Sequence, residues 1–186
     1  TVQYKLTDET KFANAAFSNC TNLTSVIIGE GVKSTGYLTF DNCTNLRSVT
    51  LPDTVTKIGN GTFSSCRSLS SITIPHSVTS IINGAFEGCT SLTSVTIPDS
   101  VTSIGWSVFR NCASLTEIEI PDSVTSISNY AFSGCTSLSS ITCLATTAPT
   151  LGTNVFYGLP TAGTLIYPCD SDYNTWLEQL AWEDTC

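Results

Sequence analysis

Cysteine recurs at a fixed interval along most of this chain: Cys20, Cys43, Cys66, Cys89, Cys112 and Cys135 each follow the last by 23 residues. Phenylalanine keeps the same step three residues earlier, at Phe17, Phe40, Phe63, Phe86, Phe109 and Phe132. Leucine keeps it three residues later, at Leu23, Leu46, Leu69, Leu92, Leu115 and Leu138. Such a period constrains the fold strongly, because a unit this short cannot bury its own apolar face and must stack on copies of itself. The result is a solenoid, and its function must be sought on a surface, not in a single pocket.

The unit is nearly complete from Ala85 to Gly105, reading Ala-Phe-x-x-Cys-x-x-Leu-x-Ser-Val-x-Ile-Pro-Asp-Ser-Val-Thr-Ser-Ile-Gly. In an extended segment, Leu92, Val95 and Ile97 point inward while Ser94 and Thr96 point to solvent. Stacked coils then join these strands into a parallel sheet along one face. Pro98-Asp99-Ser100 predicts a turn, since proline fixes φ and the Asp or Ser side chain bonds to nearby backbone. Val101 and Ile104 return inward as a second short extended segment. Gly105 permits a bend into a helical turn over Trp106 to Phe109, with the Phe109 ring in the core.

The period and the Leu-x-x-Val/Ile-x-Ile/Leu centre mark a leucine-rich-repeat solenoid. The wording of the unit is closer still: over about residues 12 to 166 it resembles the BspA-like leucine-rich repeats of the treponemal type. That resemblance implies a secreted or cell-surface protein of a host-associated bacterium, or of a parasitic protist, in a family with several adhesins for host matrix proteins. It implies no common catalytic residues and no cofactor. The fold expected is an α/β repeat: a right-handed solenoid with a parallel sheet on one face, short helical turns opposite and a C-terminal capping helix.

The whole chain, 1–186, reads as one elongated domain: a degenerate N-terminal coil over 1–17, repeats over 18–166 and a C-terminal cap over 167–186. Val2, Tyr4 and Leu6 alternate as in a short strand, and Phe12 falls in the column of Ile58 and Ile81. End coils cover an otherwise open apolar face, so departure from consensus is expected there; the alternative is a solenoid that continues upstream. At the other end the step from Phe132 to Phe156 lengthens to 24 residues, Cys143 takes the place of Ile120, and Leu165-Ile166-Tyr167-Pro168 supplies a last strand. Asp170 or Ser171 can cap a helix from about Asp172 to Trp182 that carries Tyr173, Trp176, Leu177 and Leu180 on one side. The resemblance covers this ending too, a strand followed by a Tyr/Trp-bearing helix.

Net charge is -8, but the imbalance is local. All seven basic residues lie in 1–110 beside seven acidic ones, while 111–186 holds eight acids and no Lys or Arg. Clustered Lys or Arg is what phosphate binding requires, so nucleic acid and anionic membranes are poor partners; basic proteins or cations fit better. No run of about 18 apolar residues is present to span a membrane. No signal peptide opens the sequence, which begins at Thr1, and this reads as a processed or trimmed product.

Nine cysteines suggest disulfides until their register is noticed. Side chains in one column of a parallel stack stand about 4.8 Å apart and point the same way, whereas a disulfide brings its Cβ atoms to roughly 3.5–4.5 Å, turned toward each other. A row of buried thiols acting as small hydrophobes is expected. Zinc wants tetrahedral clusters, not a straight row, so no metal site is read here. Cys169 and Cys186 flank the C-terminal helix; a bond between them would stabilise the cap by about 3 kcal/mol, with an intermolecular bond or two free thiols as the alternatives.

No nucleophile motif is visible, and no catalytic residue is assigned. His76, the single histidine, sits in the exposed turn column of Glu30, Asp53, Asp99 and Asp122. The outward sheet positions are more informative: Ser25 and Ile27, Ser48 and Thr50, Ser71 and Thr73, Ser94 and Thr96, Glu117 and Glu119, Ser140 and Thr142. Glu117 and Glu119 break a Ser/Thr pattern, and residues i and i+2 of a strand share a face about 7 Å apart. Such a pair is solvated surface charge, a contact for a partner's Lys or Arg, a calcium ligand pair or a pair of acid/base carboxylates. Tyr37, Trp106 and Tyr130 form a second, aromatic ridge, read either as packing between coils or as a binding platform. Asn19, Asn22, Asn42 and Asn60 fit the N-glycosylation acceptor pattern, which matters only in a eukaryotic source.

Together with the sheet face, the resemblance implies a non-enzymatic, adhesin-like module that recognises a host or neighbouring-cell protein, a basic one on electrostatic grounds. Glycan binding is the alternative, followed by a structural stalk for a larger surface protein.

Overall fold

The structure is a computed structural model that describes residues 2–4 and 11–185. Each coil contributes two short strands, so the solenoid carries two parallel sheets. The first face is built by β1 (Val2–Tyr4), β2 (Ser25–Ile28), β3 (Ser48–Thr50), β5 (Ser71–Thr73), β7 (Ser94–Thr96), β9 (Glu117–Ile120), β11 (Ser140–Cys143), β13 (Thr164–Ile166) and β14 (Glu183–Thr185). Their pairing runs β1-β2-β3, β5-β7 and β9-β11-β13-β14. The central pairs keep the register of the repeat, as in Ser71↔Ser94 and Glu117↔Ser140, whereas the end pairs depart from it: Val2↔Val26, Ser140↔Thr164 and Thr164↔Glu183. The second face is a five-stranded sheet of β4 (Lys57–Ile58), β6 (Ser80–Ile81), β8 (Ser103–Ile104), β10 (Ser126–Ile127) and β12 (Thr150–Leu151). Bridges Lys11↔Ser34↔Lys57 extend it toward the N-terminus.

The sequence predicts a helical turn over Trp106 to Phe109, but that side of each coil is a series of turns without a helix. Two columns adopt left-handed backbone there, Ser107 (φ 54°) and Asn111 (φ 60°) in this coil, Gly84 and Gly88 in the one before. Placed four residues apart, they repeatedly reverse the chain, so its N–H groups bond across to the next coil: Phe86 N–H to Val108 O at 2.9 Å, Gly88 N–H to Arg110 O at 2.8 Å. An α-helix would satisfy these groups within the segment; here the stack satisfies them.

The core is a set of columns. Phenylalanine rings 17, 40, 63, 86, 109, 132 and 156 stack nearly parallel, with centroids 5.3 to 6.1 Å apart. Phe12 closes this row edge-on at one end and Trp176 closes it at the other, 5.4 Å from Phe156. The thiol row is buried as expected from Cys43 to Cys135, while Cys20 is exposed. These thiols also donate hydrogen bonds, each Sγ to a Phe carbonyl of the preceding coil, as Cys89 does to Phe63 O at 3.2 Å. The turn hydroxyls likewise reach back one coil: Ser77 donates to Val55 O and Ser123 to Val101 O.

The expected C-terminal helix is present but shorter. It spans α1 (Asn174–Leu180), with Tyr173 at its N-cap and no side-chain cap bond from that residue. Neither Asp170 nor Ser171 caps it, since Ser171 donates to Thr146 O; Asp172 accepts the Asn174 N–H instead. Tyr173, Trp176 and Leu180 are buried as expected and Leu177 is half-buried. Ala181 ends the helix in the left-handed region, and the chain then returns as β14 beside β13. Trp182 therefore lies past the helix, its indole N–H on Pro160 O at 2.8 Å. Leu6 and Cys186 lie outside the described residues, and with Cys186 the pairing to Cys169.

Candidate recognition surface

Strand alternation places every predicted position of the first face outward. Ser48, Thr50, Ser71, Thr73, Ser94, Thr96, Glu117 and Glu119 are all exposed, between the buried residues Val49, Ile72, Val95 and Ile118. Around the two glutamates the face is dished into a concavity of about 310 Å3, whose rim includes Ser94, Thr96, Glu117, Glu119, Ser140 and Thr142. Glu117 pairs in register with Ser140, and Glu119 with Thr142, so both carboxylates rise from hydroxyl-bearing neighbours. Among the described residues neither has a Lys or Arg partner; Arg110 pairs instead with Glu87, 3.4 Å apart on the turn side. Two apolar side chains, Ile27 and Ile166, are exposed near the ends of the strip. Ile166 was not legible as part of it, because the 24-residue step moves it out of the 23-residue column; it pairs with Thr142.

The aromatic ridge does not form one patch. Tyr37 and Trp106 occupy the same column three coils apart, both well exposed. Tyr130 lies one column further on, half-buried, with the Arg110 guanidinium 5.8 Å from its ring centroid. His76 and the acidic turn column are exposed. No group of three or more His, Cys, Asp or Glu among the described residues is placed to hold a metal ion. The buried thiols are far from nucleophilic: desolvation pushes Cys89 and Cys135 up to about 12. No helix among the described residues is long and apolar enough to cross a membrane.

Comparison with known proteins agrees with this geometry. The chain is similar to a leucine rich repeat protein of T. pallidum, at 30% identity and a TM-score of 0.79 over 95% of this chain and 78% of that one. A leucine-rich repeat protein from Bacteroides ovatus shares the fold at 24% identity and a TM-score of 0.57, over 85% of this chain and 58% of its own. A leucine rich cell surface protein from Faecalibacterium prausnitzii does so at 23% and 0.52, over 90% and 71%. No curated protein is similar enough in sequence to match. The sequence profile of the BspA type leucine rich repeat region matches residues 6–116 and 56–173, with six copies. With the repeat read from sequence, built in the structure and matched over nearly its whole length, the chain belongs to the BspA type leucine rich repeat family.

Proposed function

We propose that this protein is a secreted or cell-surface recognition module that binds a basic region of a partner protein through the first sheet, centred on Glu117 and Glu119. The observation that carries the reading is the unpaired carboxylate pair. Two exposed acids stand in a dished, otherwise neutral Ser/Thr concavity, with no Lys or Arg among the described residues paired to them. Hydroxyls in rows offer hydrogen bonds to a partner's backbone and side chains, and the carboxylates set its register and sign. The rigid stack presents the whole strip preorganised, which lowers the ordering cost of association. The surface location is supported by the family and by the description of the Faecalibacterium relative as a cell surface protein.

The test is binding of the purified chain to immobilised fibronectin and fibrinogen at low and high salt, beside Glu117→Lys/Glu119→Lys. The expected result is salt-weakened binding that the double variant reduces at least about tenfold. Binding that is indifferent to both salt and charge reversal would overturn the proposal.

A further inference from the structure

Trp106 occupies a column that carries asparagine at positions 14, 60, 83 and 129 and tyrosine at 37. At Asn83 and Asn129 the side-chain Oδ1 accepts a backbone N–H from the following coil, Trp106 and Thr153 respectively, each at 2.9 Å. Those bonds fix the two carboxamides by their oxygens. Their NH2 groups have no partner among the described residues, and they flank the indole one coil to either side. Coils stack at about 4.8 Å, so the two amides stand roughly 10 Å apart with Trp106 between them.

The surface beside them is a shallow concavity of about 500 Å3, lined by Asn83, Trp106, Ser126, Ser128, Asn129 and Gly152 among others. Glycine in the following coil makes room for each carboxamide. A Cβ at Gly105 would meet Asn83 Oδ1 at 2.8 Å, and one at Gly152 would collide with the Asn129 carboxamide. Trp106 is 43% exposed, so a flank of the ring is uncovered. The lining contains no Asp, Glu, Lys, Arg or His.

An uncovered indole between oriented amide donors and serine hydroxyls, with no charge, matches the chemistry of a neutral sugar. The C–H groups of a pyranose carry a slight positive charge and settle on the negative face of an aromatic ring. Ring hydroxyls meanwhile take the amide and hydroxyl hydrogen bonds that fix orientation in a small polar site. We propose that this shoulder of the second sheet is a binding site for a neutral oligosaccharide. It shares no lining residue with the carboxylate concavity on the first sheet.

Tryptophan fluorescence provides the test, because Trp176 and Trp182 are buried and iodide reaches mainly Trp106. The intact chain is titrated with cellohexaose, chitohexaose, mannohexaose, xylohexaose and laminarihexaose, beside sulfated oligosaccharides. At least one neutral sugar should shift the emission to the blue and protect the indole from iodide, with no dependence on salt. Trp106→Asn installs the residue the column carries elsewhere, so the coil keeps its shape; by calorimetry it should lose at least about tenfold in affinity. Asn83→Asp keeps an oxygen for the Trp106 N–H but removes both donors, and should weaken binding about threefold or more. Protection by none of the neutral sugars, protection by sulfated sugars alone, or affinity unchanged in Trp106→Asn overturns the site. Glu117→Lys/Glu119→Lys must bind the sugar as the parent does, so failure of this site and failure of the first-sheet reading are separable.

Discussion

Cys89 donates its S–H to the Phe63 carbonyl one coil back, while its own N–H is held by the Phe86 carbonyl of its own coil. The thiol thus joins neighbouring coils, and its small, weakly polar group fits where a hydroxyl or methyl would lose either volume or the bond. Burial raises its pKa from 9.0 to about 12, against a smaller opposing pull from the hydrogen bond to the backbone at Cys66. Cys135 is raised to the same value for the same first cause. The folded state therefore holds these protons through a range in which the unfolded chain releases them. Stability from this source is complete below about pH 9 and is lost as pH rises toward 12. Each of the two thiols contributes a fall of about 1.4 kcal/mol per pH unit in that window. Urea midpoints measured from pH 7 to 11 should be flat to about pH 8.5 and then drop steeply, less steeply in Cys89→Ala; a midpoint constant to pH 10.5 would contradict the account.

At the scale of elements, α1 and β14 act together as the stopper of the last coil. Trp176 covers the exposed end of the phenylalanine row and donates its indole N–H to Pro149 O at 3.0 Å, and Tyr173 donates to Ala145 O at 2.8 Å. Trp176→Ala removes a fully buried ring and leaves that carbonyl without its donor, a loss of about 3–5 kcal/mol. In a solenoid each coil is stabilised by its neighbours, so the damage stays local. Hydrogen exchange should show faster exchange across Thr150–Leu151 and Thr164–Ile166, with the central coils around Phe63 and Phe86 nearly unchanged; uniform loss of protection would refute this nearest-neighbour picture. The helix itself was legible from the spacing of Tyr173, Trp176 and Leu180, but its boundaries were not. Ser171 has the composition of a cap and is spent on Thr146 O. The segment that forms β14, Glu183-Asp184-Thr185, has no apolar alternation to announce a strand; the open edge of β13 recruits it. The outward positions of the first sheet were legible because alternation alone decides them. The oriented amides beside Trp106 were not, since residue type does not show which coil an asparagine oxygen will reach.

Across the whole molecule, stability and recognition are separable because columns hold the stack together while single coils carry the exceptions. Phe, Cys and Leu repeat through the six units from Phe17 to Phe132, so any two of these coils offer the same interface. Glu117, Glu119 and Trp106 each occur in one coil. Removing residues 67–89 joins Cys66 to Thr90 and brings the Phe63 coil onto the Phe109 coil with every column still in register. Removing only 67–78 takes out about half a coil and turns inward positions outward from there on. The first deletion should fold to a shorter solenoid, with cooperative unfolding and a strand-type circular dichroism spectrum, and should keep the first-sheet concavity around Glu117 and Glu119. Its affinity for a basic protein partner should stay within about twofold of the parent, and saccharide binding should persist as well, because Asn60 moves into the place of Asn83 beside Trp106. The half-coil deletion should fail to fold cooperatively. If the two deletions prove equally stable, the register of the 23-residue columns is not what holds the stack; if both collapse, the coils are not the independent, interchangeable units that the repeat implies.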